Sequence, residues 1–370
     1  MKKEIYLLAI ETSCDECSAS VVTESSNVTE SLNATQCSAS VKVLSNIIFS
    51  QAKLHEKYGG VVPEIASRNH LDQLSAVIDE ALEKANIKFS DLAAVAVTNQ
   101  PGLIGALLVG VSYAKTLAYA LQIPLVVVNH LQGHLHSLFI EAPGKKITKK
   151  QLPLLICLAS GGHTIFYLVH KLPPEDLNLE KITESRDDAA GEVFDKCAKL
   201  LGLPYPGGKH LDELSRLGNP KAFCFPRPML KENLELSFSG IKTAVALELK
   251  SQGFNPHIFG KVNSNEVPQK KVLFDFSASI QEAIVDTLVK KICLAIEKTN
   301  AKSLAIVGGV SANSRFKQLL AQEVSLPLFF PDSEYCTDNA AMIGVCGFFK
   351  YKRGEVLTGT ELLKCNAFAS

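Results

Sequence analysis

His130 and His134 stand four residues apart in VVNHLQGHLHSLF, a spacing that lets two imidazoles converge on one cation. The apolar run LQIPLVVV ends at Asn129, a good N-cap, and Leu131, Leu135 and Leu138 follow at helical spacing, so the segment is expected to be a helix. The same spacing also suits two ordinary helix histidines, while His136 points elsewhere. Asp338 is the candidate third ligand; its alternative is an N-cap, since it precedes the last long helix. A His, His, Asp set with open positions suits Fe(II), Zn(II) or Mn(II), and would orient an anionic substrate or polarise a carbonyl. The zinc-protease pattern is absent, because Leu131 follows His130 where H-E-x-x-H requires glutamate. Cys14 and Cys17 lack the second pair of a structural zinc site and are expected to pack inside a hairpin.

Three turns of small residues follow apolar strands: ETSCDE from Glu11, LASGGHT from Leu158 and VGGVSANS from Val307. Such turns let a phosphate or ribose approach backbone amides, although each alone also suits a tight hairpin or strand-to-helix connection. Three of them in two halves point to a nucleotide in a cleft. Between the second and third, Asp195 or Asp212 could accept from ribose hydroxyls, and Gly207-Gly208 could admit a flat ring. Asp187, Asp188 and Glu192 read equally well as the acidic start of a helix.

These residues need a scaffold of alternating strands and helices. IYLLAIETSCDECSASVVTE reads as a strand hairpin, and Ser25 to Gln36 as a solvent-exposed loop. A long amphipathic helix follows YGGVVP, then the buried strand DLAAVAVTNQ, an apolar helix, LQIPLVVV and the histidine helix. A second hairpin at LPLLICLASGGHTIFYLV opens a half that repeats this logic, closing with SLAIVGGVSANSRFKQLLAQ. The expected organisation is an N-terminal lobe over 1–143, a linker over 144–152, a C-terminal lobe over 153–338, and a helix and tail over 339–370 that pack back on the first lobe. In 370 residues, 38 basic and 38 acidic side chains cancel, so any polyanion site must be a local patch. Lys145, Lys146, Lys149 and Lys150 form one candidate, Lys270 and Lys271 another. Ten scattered cysteines suit a reducing compartment, and MKKEIYLLAIETSC fits neither a signal peptide nor a membrane span, so the cytoplasm is expected.

Taken together, AIETSCDE, YGGVVPEIASRNH, NQPGLIGALLVG, the H-x-x-x-H pair, LASGGHT, DDAAGEVFDKCAKLLGLPYPGG, LSFSGIKTA, GGVSAN and DNAAMIG resemble the TsaD/Kae family, in its bacterial TsaD form, nearly end to end. That family makes the threonylcarbamoyl modification of tRNA and was once described as a glycoprotease family. The resemblance implies a two-lobed α/β fold of the actin, hexokinase and Hsp70 (ASKHA) type, with mixed-sheet lobes and a cleft between them. It implies that His130, His134 and Asp338 hold one divalent metal, iron(II) with zinc(II) as the alternative. It further implies that Leu158, Ala159, Ser160, Gly161, Gly162, Asp195, Gly208, Asp212 and Asn313 line a site for L-threonylcarbamoyl-AMP, whose acyl group passes to tRNA. No covalent nucleophile or general base stands out. Partners implied are tRNA, a smaller TsaB-like paralogue and a TsaE-like P-loop ATPase, the last because this chain has no Walker loop. The alternatives are a small-molecule kinase of the same fold, a metal-dependent glycoprotease and a nucleotide-switched binding module. Ser25 to Gln36 departs from the short turn usual in the family.

Overall fold

Along β1 (Tyr6–Glu11), alternation sends Leu7 and Ala9 to one face and Leu8 and Ile10 to the other, and all four are fully buried. Its sheet is therefore covered on both sides. The structure, a computed structural model, describes residues 4–25, 39–142, 146–230, 233–253 and 267–369. The loop expected at Ser25 to Gln36, beyond Ser25 itself, and Lys145 lie outside them.

The first half supplies β2 (Glu16–Glu24), β3 (Val41–Ser50), α1 (Ala52–Glu56), α2 (Pro63–Ala85), β4 (Leu92–Gln100), α3 (Ile104–Leu121), β5 (Leu125–Asn129) and α4 (His130–His136). Its sheet has the order β3-β2-β1-β4-β5, antiparallel through the β1–β2–β3 meander and parallel from β1 to β4 to β5. The second half supplies β6 (Leu154–Ala159), β7 (Thr164–Val169), β8 (Leu179–Glu184), α5 (Ala190–Leu200), α6 (Gly207–Ser215), α7 (Ser239–Ser251), α8 (Val267–Thr299), β9 (Ser303–Val307), α9 (Ser314–Glu323), β10 (Leu328–Phe329) and α10 (Ala340–Lys352). Read from β8, its sheet runs β8-β7-β6-β9-β10 with the same mixture of antiparallel and parallel pairs. The two sheets thus share one plan, as the repeated hairpin starts implied.

Between the sheets lie α4 and α10. Leu7 of β1, Leu154, Ile156 and Leu158 of β6, Leu135 of α4 and the α10 face share one core. Residues 340–349 are all buried, and α10 lies close on the first sheet because Gly344 and Gly347 carry no side chain. A Cβ at Gly344 would come within 2.7 Å of Val22, and one at Gly347 within 2.6 Å of Ala96. A second core joins β1 and β4 to α2 and α3, and a third joins β6 and β9 to α5, α7, α8 and α9.

Among the described residues, α3 is the one helix long and apolar enough to cross a bilayer by length and composition. Here it packs on β4 and α2, and its inner residues, Ala106, Leu107, Val111, Ala114 and Ala118, are buried. Its outer side and α2 leave a groove of about 680 Å³ lined by Leu71, Leu108, Tyr113 and Leu117. Leu71 is 68% exposed and Leu108 50%.

Candidate metal centre and the turns around it

The histidine helix begins where β5 ends, because Asn129 Oδ1 accepts from the N–H of Leu131 at 2.9 Å and of Gln132 at 3.3 Å. One turn separates His130 from His134, and their rings meet edge to face with centroids 4.8 Å apart. Both Nε2 atoms face Asp338, whose Oδ1 lies 3.1 Å from His134 and 3.5 Å from His130. The candidate ligand atoms of the three residues all lie within 4.8 Å of one another. Asp338 is not the helix cap. Asn339 is, with Oδ1 accepting from Met342 N–H at 3.1 Å and Nδ2 donating to the Thr337 carbonyl at 2.7 Å, which leaves the neighbouring carboxylate to face the histidines.

Behind His130, Nδ1 sits 3.0 Å from Glu11 Oε2 and 3.1 Å from Ser13 Oγ. Glu11 is fully buried, accepting at Oε2 from the Thr98 hydroxyl at 2.6 Å and at Oε1 from Ser13 N–H at 2.5 Å. Burial works against charge on Glu11 and Asp338, but His130 outweighs it, so Glu11 lies below the ordinary carboxylate range and Asp338 well below. Burial likewise opposes an imidazolium at His130, and Asp338 and Glu11 together raise it well above the usual histidine value. The centre is thus built to hold positive charge. On the far side of His134, Nδ1 is buried without a hydrogen-bond partner among the described residues. Two converging imidazoles, a carboxylate and a surplus of negative charge fit one divalent cation.

His136 faces away. Its Nδ1–H donates to the Gln132 carbonyl at 2.7 Å, and its ring packs on Phe139 and Phe349. Cys17 is buried in the first hairpin, and burial pushes its thiol up to about 12. Cys14, raised well above its usual value by burial and then Asp15, is no thiolate either.

The turn after β6 closes through Ser160 N–H to the His163 carbonyl at 2.8 Å and His163 N–H to Ser160 Oγ at 3.2 Å. Gly161 and Gly162 open onto free space, whereas Gly191 of α5 abuts the turn so closely that a Cβ would lie 2.3 Å from the Ser160 carbonyl oxygen. Leu158 and Ala159 bury their side chains in separate cores and can offer a ligand only backbone. The His163 imidazole is lowered by burial and then by the charge of His130 and His134.

The remaining expected residues form two groups. Asp195 Oδ1 accepts from Gly207 and Gly208 N–H at 2.8 and 3.2 Å, capping α6, and Gly208 is open apart from Phe194 Cβ at 3.8 Å. Asp212 receives the Ser314 hydroxyl at 2.7 Å on one oxygen and Arg216 at 2.9 Å on the other. Asn313 caps α9 through Phe316 N–H at 2.9 Å and donates to Gln281 at 2.6 Å. These side chains brace the turns at which α6 and α9 start. Asp187, expected at the start of its own helix, caps α7 by accepting from Phe238 N–H at 2.8 Å and the Ser237 and Ser239 hydroxyls at 2.6 and 2.7 Å. Asp188 bridges Lys196 and Lys242 at 2.9 and 3.0 Å. Across the halves, the Tyr205 hydroxyl reaches Asp15 at 3.4 Å and Lys199 reaches the Tyr58 carbonyl at 3.3 Å.

Composition and spacing singled out the histidines and the three turns, but not the inner partners Glu11 and Thr98. The available signal was a glutamate closing an otherwise apolar buried strand, which needs a partner to stay charged.

A family model described as "TsaD: tRNA N6-adenosine threonylcarbamoyltransferase" matches residues 42–345. The chain belongs to the TsaD family. A tRNA N6-adenosine threonylcarbamoyltransferase of Moorella thermoacetica is 46% identical over 358 residues, covering 95% of this chain and 94% of that protein. The enzyme of the same name from Christiangramia forsetii is 44% identical, with 95% of each covered. Among solved structures, component A of the Acidaminococcus fermentans (R)-2-hydroxyglutaryl-CoA dehydratase superposes with a TM-score of 0.51 at 14% identity, covering 94% of this chain and 98% of that one. Full-length HypF gives 0.52 at 12% identity, covering 95% of this chain and 56% of HypF. At such identities the likeness is one of fold, and it agrees with the two-lobed α/β plan of this TsaD-family member.

Proposed function

We propose that this chain is a tRNA N6-adenosine threonylcarbamoyltransferase working in the cytoplasm. The observation that carries the reading is the convergence of His130, His134 and Asp338 in a chain of this family. In the reaction, N6 of the adenosine just 3′ of the anticodon, in tRNAs reading codons that begin with A, attacks the carbamoyl carbon of L-threonylcarbamoyl-AMP. The bond to the phosphate oxygen breaks, AMP leaves and N6 gives up a proton. An aromatic amine is a poor nucleophile, so the chain's main task is to position it and to stabilise charge on the carbamoyl and phosphate oxygens.

His130, His134 and Asp338 would hold one divalent cation, iron(II) ahead of zinc(II), which supplies positive charge toward those oxygens. The amides of Ser160, Gly161 and Gly162, carried on Leu158 and Ala159, would cradle the adenylate. The open backbone at Gly208 would admit its flat parts. Asp195, Asp212 and Asn313 would hold these turns rigid, since their polar atoms already serve protein groups. The cleft would lie between lobes at 1–143 and 153–338, with 144–152 joining them and 339–370 returning to the first. A TsaB-like paralogue would cover the apolar α2–α3 groove, and a TsaE-like ATPase would act on the assembled pair.

The test combines the purified chain, its partners, L-threonylcarbamoyl-AMP and tRNA, and measures modified adenosine against AMP released. Equal amounts of the two support the reading. Hydrolysis without tRNA modification, or phosphorylation of a small molecule from ATP, overturns it.

A further inference from the structure

The inner face of the metal centre contains a carboxylate with a defined geometric task. Glu11 is fully buried at the end of β1 and receives three donors: Ser13 N–H on one oxygen, and the Thr98 hydroxyl and His130 Nδ1 on the other. An ionised carboxylate only accepts hydrogen bonds, so the atom facing it must carry a proton. For His130 this means Nδ1–H, which leaves Nε2, the nitrogen facing Asp338 and His134, as the one available to a cation.

We propose that Glu11 is the positioning residue of the centre, fixing the ring orientation and Nδ1–H tautomer of His130 so that Nε2 is presented to the cation. This rests on the metal reading above. Backbone geometry also favours the role: β1 pairs with β4 through Ile10 and Val97, and Thr98 follows in β4, so the carboxylate is held by two neighbouring central strands and not by a loop. Ser13 Oγ, also near Nδ1, cannot impose the tautomer, because a hydroxyl donates or accepts equally well.

Glutamine at position 11 has no good arrangement. With its carbonyl toward His130, its NH₂ meets the Ser13 N–H. With the amide reversed, His130 must accept at Nδ1, which puts the proton on Nε2.

The test uses the full chain and zinc(II) alone, with affinity read by competition against a chromophoric chelator and histidine protonation read by ¹⁵N NMR of the zinc-loaded protein. Glu11→Gln should weaken zinc binding by roughly 10- to 100-fold, the range for losing the outer partner of a ligating histidine. Thr98→Val removes a donor to the same carboxylate without touching His130, and should weaken zinc binding less than Glu11→Gln does. Wild type should show a protonated Nδ1 on His130. If Glu11→Gln does not fold, Glu11→Asp, which withdraws the carboxylate by one methylene, should show at least the tenfold loss. Wild-type affinity in the folded Glu11 variants, or Nδ1 as the liganding nitrogen, would overturn the role of Glu11 alone. Equal zinc binding by wild type and His130→Ala would instead overturn the metal site, and the role of Glu11 with it.

Discussion

Replacing His130 or His134 by alanine takes away one of two imidazoles that meet over Asp338, while Leu135 on the same helix keeps its place in the core. Metal content should fall below stoichiometric, and transfer should drop by roughly two orders of magnitude or more, with unfolding still cooperative. Asp338→Asn keeps the shape and removes the charge, and should lose metal and activity together. Because Asn339 is the cap, this change should leave α10 intact, so circular dichroism that reports a lost helix would contradict the assignment. Retention of full metal and activity by both histidine variants would make the pair structural. At this scale the convergence of the two histidines was legible in the sequence, since i,i+4 spacing fixes a shared face before any tertiary contact is known. Whether Asp338 caps a helix or faces the histidines was not legible. Asp338 and Asn339 are both good caps, and only the placement of Asn339 against Met342 N–H decides between them.

Three elements carry residues whose replacement should act through their positions. Asn339 ties the start of α10 to Thr337 and Tyr335, so Asn339→Ala should cost about 1 kcal/mol, up to roughly 2, and should weaken metal binding because it also frees Asp338. Chemical unfolding and chelator competition measure the two effects; a stability loss with unchanged metal affinity would separate cap from ligand. Gly191→Ala drives a methyl into the Ser160 carbonyl. It should destabilise by about 1–3 kcal/mol and raise the KM for the adenylate, checked by denaturant melts and steady-state kinetics. On α2, buried His70 donates Nε2–H to the Cys14 carbonyl at 2.9 Å, with Nδ1 unpartnered among the described residues. Burial holds its imidazole below the usual value, and the Cys14 carbonyl, Glu11 and Asp15 offset this only partly. The unfolded chain then takes up the proton first. Titration of this histidine has no effect on stability well above pH 6.5, and destabilises as pH falls below it. His70→Gln, which keeps a donor near the ε position, should flatten the acid limb of a Tm-against-pH curve; an unchanged limb would assign that slope to other groups.

For the whole molecule, the duplicated sheet order was readable in outline because each half begins with an apolar hairpin, and a hairpin is a local pattern. The placement of α4 and α10 between the sheets was less readable. An all-apolar helix announces burial without naming its neighbours, and Gly344 and Gly347 gain meaning only against Val22 and Ala96. Exposed Leu71 and Leu108 line the α2–α3 groove proposed above for the paralogue. The pair Leu71→Arg and Leu108→Arg should abolish association with the paralogue in analytical ultracentrifugation while leaving the Tm nearly unchanged; undiminished association would move the interface elsewhere. For tRNA, neutralising Lys146, Lys149 and Lys150 should reduce the slope of log affinity against log salt by about one unit for each phosphate that no longer meets a lysine. An unchanged slope would exclude this patch.

Asp338 follows His134 by 204 residues, on the far side of the whole second half. During synthesis at about 5–20 residues per second, the histidine helix therefore emerges on the order of 10–40 seconds before its carboxylate partner. The same interval separates the first sheet from α10, the helix that covers its inner face. A nascent chain in that interval exposes Leu7, Ala96 and Val128 on an unfinished core, and displays two imidazoles with no acid between them. Metal loading at the proposed site would thus be a late event, and a chain stopped before Asp338 should be a client for chaperones, not a weakened enzyme.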